Sequence, residues 1–371
     1  MSLEWTARRC WAEIDLGALR HNVAAARGQL APGGKVMAVV KANAYGHGLG
    51  PVAKALVGHA EMFGVATVGE AEELRSHVPD APIFILGPAL PDERLPVVTG
   101  CFIPAISTVE EARAYAALTG AKPLPVHLLI DTGMGRVGIL QDDAVATARE
   151  ILSLRGLTVT GLASHLPVAD EDDAFTREQL AQFHQVVGQL RSLGISQPVV
   201  HVENSAGIIS YPTQAGDMVR AGLMIYGSSP VPEFQPKLRA VMTWKTRVTL
   251  VREMPAGHGI SYGRTFITPR PMRIATLGVG YADGYQRHLS NRSADVLIGG
   301  QRCPVLGRVT MDQILADVSA LPQVTAGDEA VLIGSQGGEE ISAAELAQKS
   351  GTIPWEIFTG VGRRVERAYH G

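Results

Sequence analysis

The chain has only three cysteines in 371 residues, Cys10, Cys101 and Cys303. They are odd in number and widely separated, without pairing or metal-ligand spacing. This argues against a disulfide framework and a zinc site, and the expectation is a reducing cytoplasm and no bound metal. Charge of one sign is also missing. Lysine and arginine number 33 against 36 aspartates and glutamates, a formal net charge of −3 with no polybasic cluster, so neither nucleic acid nor a membrane surface is an expected partner. No apolar run is long enough to cross a bilayer, and the two arginines within Met1 to Cys10 have no apolar stretch behind them, unlike a secretory signal. Internal repeats and low-complexity segments are absent.

What is present is apolar matter for two cores: 46% of the residues are hydrophobic and 19% charged. Up to about Gly227, strand-like runs alternate with helical patterns, the rhythm of parallel strands joined by crossover helices. Eight runs stand out: Val36 to Val40, Phe63 to Val68, Pro82 to Leu86, Phe102 to Ile106, Val126 to Ile130, Val159 to Ser164, Val199 to Glu203 and Met218 to Ile225. Thr108 to Leu118, Asp142 to Leu154 and Ala174 to Leu193 read as helices between them. Eight repeats predict an α/β chain with an N-terminal (β/α)8 barrel. An open doubly wound sheet is the alternative, but no glycine-rich dinucleotide fingerprint follows the first strand. Beyond Glu233 the pattern becomes strands at Ala240 to Glu253, Met272 to Gly280, Asp295 to Val305 and Asp328 to Ile333 with turns between, a mostly β C-terminal domain. The division expected is 1–235 and 236–371, broken at Ser228-Ser229-Pro230-Val231-Pro232, with the first dozen or so residues packing on the second domain.

Barrels gather their ligand-handling residues on loops after the carboxyl ends of the strands. Lys41 follows the first strand in Val39-Val40-Lys41-Ala42-Asn43-Ala44-Tyr45-Gly46-His47-Gly48, Asp131 to Arg136 follow the fifth, His165 the sixth, Asn204 and Ser205 the seventh, and Arg220 lies on the eighth before Gly222. Each alone has a bland reading as a rim ion pair or a satisfied core group; their shared rim is the informative feature. A lysine at a dry rim loses its proton more easily than one in water, as Schiff-base chemistry requires. Asn204-Ser205-Ala206-Gly207 and Gly222-Leu223 offer backbone N–H groups and a hydroxyl to a phosphate. An amine opposite a phosphate cradle points to pyridoxal phosphate.

The chain resembles the alanine racemase family over essentially its whole length. The resemblance is carried by Ala12-Glu13-Ile14-Asp15-Leu16 with Ala18-Leu19-Arg20-His21-Asn22, the lysine motif, Asp131-Thr132-Gly133-Met134-Gly135-Arg136, Asn204-Ser205-Ala206 and Val219-Arg220-Ala221-Gly222 with Tyr226-Gly227. In the second domain it is carried by Ser261-Tyr262-Gly263-Arg264-Thr265, Gly280-Tyr281-Ala282-Asp283-Gly284 and Gly307-Arg308-Val309-Thr310-Met311-Asp312. The second-domain motifs are the more specific.

The resemblance implies a two-base racemase in which Lys41 holds pyridoxal phosphate and then serves one face of the α-carbon, with Tyr262 serving the other. It implies that Arg220 faces the cofactor's pyridine nitrogen and, with His165, leads toward the tyrosine. Tyr45, Asn204, Ser205, Gly222, Leu223 and Trp355 complete the cofactor site. Arg136, Met311, Tyr281 and Asp312 bind the substrate, and Asp170 and Arg308 join Tyr281 at the substrate entry. It also implies a homodimer whose active sites are shared between subunits, and D-alanine supply for peptidoglycan in the bacterial cell wall.

Two positions depart from the family pattern. Leu129 stands where many members have a lysine, often carbamylated, that fixes the arginine of the Asp-Thr-Gly-Met-Gly-Arg motif. A buried Arg136 would then need another anion, such as chloride or a carboxylate, or would move. Trp355, in Ile353-Pro354-Trp355-Glu356, stands where the family usually has a tyrosine, so serine or another small amino acid is a competing substrate. A barrel-type decarboxylase is a further alternative, lacking here its Glu-Pro-Gly-Arg loop and cysteine motif. A non-catalytic cofactor carrier has no second domain.

Overall fold

The computed structural model describes residues 8–213 and 217–371. They form two compact units, one of residues 19–44 and 49–239, the other of residues up to 18, 45–48 and 240–371. Met1 to Ala7, part of the opening segment expected to pack on the second domain, lie outside the described residues. Strands are numbered along the chain, beginning with β1 (Cys10–Asp15).

In the first unit, β2 (Lys35–Val39), β3 (Met62–Val65), β4 (Ile83–Ile85), β5 (Ile103–Ile106), β6 (Leu124–Asp131), β8 (Leu157–Ala163), β9 (Val199–His201) and β10 (Met218–Ala221) form one parallel sheet in the order β10-β2-β3-β4-β5-β6-β8-β9, with the short β7 (Ile139–Leu140) beside β6. The expected eight-stranded barrel is present. β10 returns to β2, and the N–H of Arg220 reaches the carbonyl of Glu203 at 2.9 Å across the remaining seam. β3, β4 and β10 are buried at every position, the signature of parallel strands covered on both faces. Met37, Met62, Phe84, Ala105 and Met218 pack as a cluster, with Leu86, Ile103, Leu129 and Val199 against it. Burying each large side chain contributes about 1.5–3 kcal/mol. Three of the crossover helices start at side-chain caps: Thr67, Thr108 and Asp172 accept the N–H groups of Glu70, Glu111 and Phe175. The last expected strand is shorter than Met218 to Ile225. It ends at Ala221, and Gly222 leads into a tight helical turn over Leu223–Tyr226.

The second unit is built on β11 (Met242–Met254), followed by β12 (Gly259–Ile260), β13 (Phe266–Ile267), β14 (Met272–Leu277), β15 (Asp295–Ile298), β16 (Gln301–Pro304), β17 (Ile314–Asp317), β18 (Glu329–Gln336), β19 (Glu339–Ile341) and β20 (Glu366–His370). The main path runs β16-β15-β18-β11-β1-β20, so the first and last described strands lie side by side, in parallel. The single strand expected over Asp295 to Val305 is instead a hairpin, because Gly299 and Gly300 take φ of +58° and +77° and reverse the chain. Helices Ala343–Ser350 and Pro354–Gly360 lie beyond the four expected strands. Among the described residues, no helix is long and apolar enough to cross a membrane.

Candidate active site

β2 delivers Lys41 two residues past its end, and the chain then does something costly. Ala42, Asn43, Ala44 and Tyr45 all have φ between +52° and +54°, a left-handed turn made without glycine. Each such residue costs about 1–2 kcal/mol, so the turn persists only because its surroundings hold it. The N–H of Ala42 donates to Glu70 Oε1 at 2.7 Å, that of Ala44 to the Val40 carbonyl at 2.8 Å, and Asn43 Oδ1 accepts from the N–H of Leu49 at 2.8 Å. The Lys41 ammonium is held below its ordinary pKa, first by burial and then by the positive charges of Arg136 and Arg220; Glu70 opposes them. The turn closes on Tyr45, whose hydroxyl is pushed up to about 12 by burial.

Arg220 is buried in the barrel and both terminal nitrogens of its guanidinium are engaged. Nη1 donates to the His201 carbonyl at 2.7 Å and lies 2.8 Å from His201 Nδ1. Nη2 donates to the carbonyls of Ser164 (2.5 Å) and Val202 (3.0 Å) and lies 3.1 Å from His165 Nδ1. Burial and the cationic neighbours, Arg220 foremost, push His165 down to about 3, so it is a neutral imidazole. Burial lowers Arg220 itself to about 10, with Glu203 acting the other way.

Across the barrel rim, Asn204 caps the short helix Ser205–Ser210 by accepting the N–H of Gly207 at 3.0 Å, and its amide donates to the Leu166 carbonyl at 2.9 Å. Ser205 Oγ accepts the N–H groups of Gly222 and Met224 at 3.2 and 3.3 Å. Both acceptor positions of the hydroxyl are thereby used inward, and its single hydrogen remains to donate to a ligand oxygen. This donor set fits an anion such as a phosphate.

In the loop after β6, Asp131 Oδ1 gathers the N–H groups of Gly133, Met134 and Gly135 at 2.9–3.1 Å. Arg136 at its end is exposed, which corrects the expectation of a buried arginine in need of a substitute anion. Leu129 packs on the apolar barrel cluster. Asp170 is exposed.

The remaining expected site residues lie on the second unit. Tyr262 sits in a turn in which Ser261, Gly263 and Arg264 all have positive φ, and Ser261 Oγ donates to the Arg308 carbonyl at 2.6 Å. The N–H of Tyr281 donates to the Thr310 carbonyl and that of Ala282 to the Met311 carbonyl, both at 3.0 Å, which brings Tyr281, Met311 and Asp312 together. Asp312 is paired with Arg364 at 2.9 Å, and Arg364 also holds Asp283. Tyr262 and Met311 are 70% and 52% exposed. Trp355 opens the helix Pro354–Gly360 and is half-buried.

Sequence reasoning passed over Glu70, His127, His201 and Glu203. The available signal was the two-residue period of the strands: His127 and Leu129 share a face of β6, and Glu203 follows two residues after His201, the last residue of β9. Burial pushes Glu203 up to about 7.

Comparison with known proteins bears on both units. Residues 14–230 match the family model described as alanine racemase, N-terminal domain, and residues 241–369 the one described as alanine racemase, C-terminal domain. The chain is 44% identical to the alanine racemase of Halothermothrix orenii, covering 98% of this chain and 97% of that one. Among solved structures, an alanine racemase from Clostridium difficile 630 superposes with a TM-score of 0.91 at 32% identity, over 98% of this chain and 96% of that one. The alanine racemase of Bartonella henselae with covalently bound pyridoxal phosphate superposes with a TM-score of 0.88 at 29% identity, over 98% of this chain and 100% of that one.

Proposed function

The chain belongs to the alanine racemase family and is a pyridoxal-phosphate-dependent isomerase that interconverts L- and D-alanine; within that activity we propose that Lys41 and Tyr262 are the two acid–base groups, one for each face of the substrate α-carbon. When bound, the cofactor supplies an electron sink that makes the α-proton acidic. Lys41 would hold it, with Tyr45, Asn204, Ser205, Gly222, Leu223 and Trp355 around its phosphate, and Arg220 and His165 at its ring. The observation that carries this reading is the place of Lys41, two residues past the end of β2 and close enough to Arg136 and Arg220 that their charges join burial in lowering its pKa, which favours the neutral amine able to take a proton. Inversion needs a proton taken from one face and returned on the other, so a second group is required. Arg136 and the backbone at Met311, with Tyr281 and Asp312, would orient the substrate carboxylate.

Tyr262 and Met311 are exposed in a single chain, and a second copy covering them is the natural occupant for large apolar groups. We therefore read the enzyme as a homodimer with shared sites, working in the cytoplasm and supplying D-alanine to the cell wall. Borohydride reduction of the holoenzyme followed by peptide mapping should label Lys41. Lys41→Ala and Tyr262→Phe should each be inactive, yet regain activity when unfolded and refolded together, because a mixed dimer contains one intact site. Labelling elsewhere, or no recovery in the mixture, would overturn the assignment or the sharing respectively.

A further inference from the structure

Arginine has five N–H donors and no acceptor, so the ring nitrogen it meets must accept. His201 Nδ1, 2.8 Å from Arg220 Nη1, is therefore an acceptor, and the neutral ring carries its proton on Nε2. That Nε2 lies 2.9 Å from His127 Nδ1, which must in turn be the acceptor. The three residues form a directed chain from Arg220 through His201 to His127, wholly inside the barrel.

Several features of the fold serve the position of His127. The register of β6 against β8 slips between Val126 and His127, so Thr160 is the extra residue and His127 faces Gly161. Such bulges re-aim a side chain. A Cβ on Gly161 would lie 2.4 Å from the His127 ring, so only glycine leaves it room. Phe84 stacks on the same ring with centroids 4.9 Å apart, and its edge meets His201 at 5.2 Å. His127 and His201 are 1% and 0% exposed, so bulk solvent does not reach either ring.

We propose that His127 is a positioning residue for Arg220: by accepting the His201 Nε2–H it locks the tautomer that turns the His201 lone pair toward the guanidinium. Without that acceptor, His201 would hold a buried donor with no partner. Moving the proton to Nδ1 would relieve this, but would set one donor against another at Arg220 and displace the guanidinium. The functional part rests on the reading that Arg220 works at the cofactor ring.

The test starts with the wild-type holoenzyme labelled with ¹⁵N-histidine, in which long-range ¹H–¹⁵N correlation should place the His201 proton on Nε2. A proton on Nδ1 would overturn the proposal without any variant. His127→Phe keeps a ring but no acceptor. It should move the His201 proton toward Nδ1, shift the absorbance of the bound cofactor and lower kcat by about tenfold or more, with little effect on KM. His127→Asn sets a side-chain oxygen near the place of Nδ1 and should recover most of that loss. A Phe variant as active as wild type, or an Asn variant as impaired as the Phe variant, would overturn the proposal. Arg220→Lys separates the two readings. If it races as fast as wild type, the assignment of Arg220 to the cofactor ring fails, while the tautomer result for His201 stands or falls on its own spectrum.

Discussion

One carboxylate joins a helix start to the turn that follows Lys41: Glu70 accepts the N–H of Ala42 through Oε1 at 2.7 Å, and the N–H groups of Ala66 and Thr67 through Oε2 at 2.7 and 3.3 Å. It is thus half of a capping box and a brace for a strained turn at once. Its charge also favours protonated Lys41, against the burial and the cations that lower that pKa. Glu70→Gln should therefore move the Lys41 titration to still lower pH. The readout is the rate at which apoenzyme takes up pyridoxal phosphate as a function of pH, whose rising limb should shift downward. Glu70→Ala should also destabilise the fold by about 1 kcal/mol, since the helix loses half of its capping box and the turn its brace.

Arg136 acts with the opposite sign. Its charge is among the causes that lower both Lys41 and His165, second only to burial for Lys41. Arg136→Gln should raise the Lys41 titration in the same uptake assay, and should raise KM for alanine if the guanidinium binds the substrate carboxylate. An unchanged KM would remove Arg136 from the substrate site and leave its electrostatic effect intact. Because Arg136 is exposed and Leu129 belongs to the apolar cluster, added chloride should change KM little.

The buried histidines set the response to acid. His127 and His165 are pushed down from 6.5 to about 3 by burial and by Arg220, and His201 falls well below its ordinary value for the same reasons. A folded-state pKa below the unfolded one means that the unfolded chain binds the proton first. The stability is therefore full above pH 6.5 and lost as pH falls toward 3. Each histidine steepens the loss by about 1.4 kcal/mol per pH unit. Glu203, raised from 4.5 to about 7, works the other way: its contribution is full below 4.5 and lost as pH rises through 7, so it flattens the curve between 4.5 and 6.5. Urea midpoints across this range should fall most steeply below pH 4.5, and His127→Asn should reduce that slope by one histidine's share.

The barrel was legible because its strands are short apolar runs at regular spacing, and covering both faces leaves such runs no other use. The place of Lys41 followed from where the first run stops. His127 and His201 were not legible as a pair, because one histidine in an apolar strand reads as a core residue, and the bulge at Thr160 that sets His127 opposite Gly161 has no signal in the strand pattern. Nor was the membership of Tyr45 to Gly48 in the second unit, which depends on Arg367 and Tyr369 more than 300 positions away. The hairpin at Gly299-Gly300 had a local signal, a glycine pair between apolar runs, that was read through as strand.

Trp355 replaces the tyrosine usual in the family, and its indole offers one donor and no acceptor. If it borders the side-chain pocket, Trp355→Tyr should change the ratio of kcat/KM for alanine over serine by several-fold. Chiral chromatography of D-alanine and D-serine formed from the L-enantiomers gives that ratio directly. An unchanged ratio would place Trp355 away from the substrate side chain.

The loop from Tyr45 to Gly48 is the most constrained segment beside the lysine turn. Gly46 has φ of +78°, and a Cβ there would lie 2.2 Å from the Phe358 carbonyl oxygen, so Gly46→Ala meets both backbone strain and a fixed atom. Its carbonyl accepts from Arg367 Nε at 3.0 Å, while the other nitrogens of that guanidinium hold the carbonyls of Val361, Gly362 and Val365 at 2.5–2.6 Å. Tyr369 adds a hydrogen bond to the His47 carbonyl at 3.1 Å. Lysine at 367 keeps the charge but cannot span four carbonyls with a planar fork. Gly46→Ala should cost about 3 kcal/mol or more, with Arg367→Lys costing about 1–3 kcal/mol. Because Tyr45 lies at the head of this loop, Arg367→Lys should also release pyridoxal phosphate faster than wild type, whereas Tyr369→Phe, which removes one bond and no volume, should do so only slightly. Thermal melts of the apoenzyme separate the two effects. A lowered melting temperature with unchanged cofactor release would mean that Arg367 stabilises the second unit without holding Tyr45 in place.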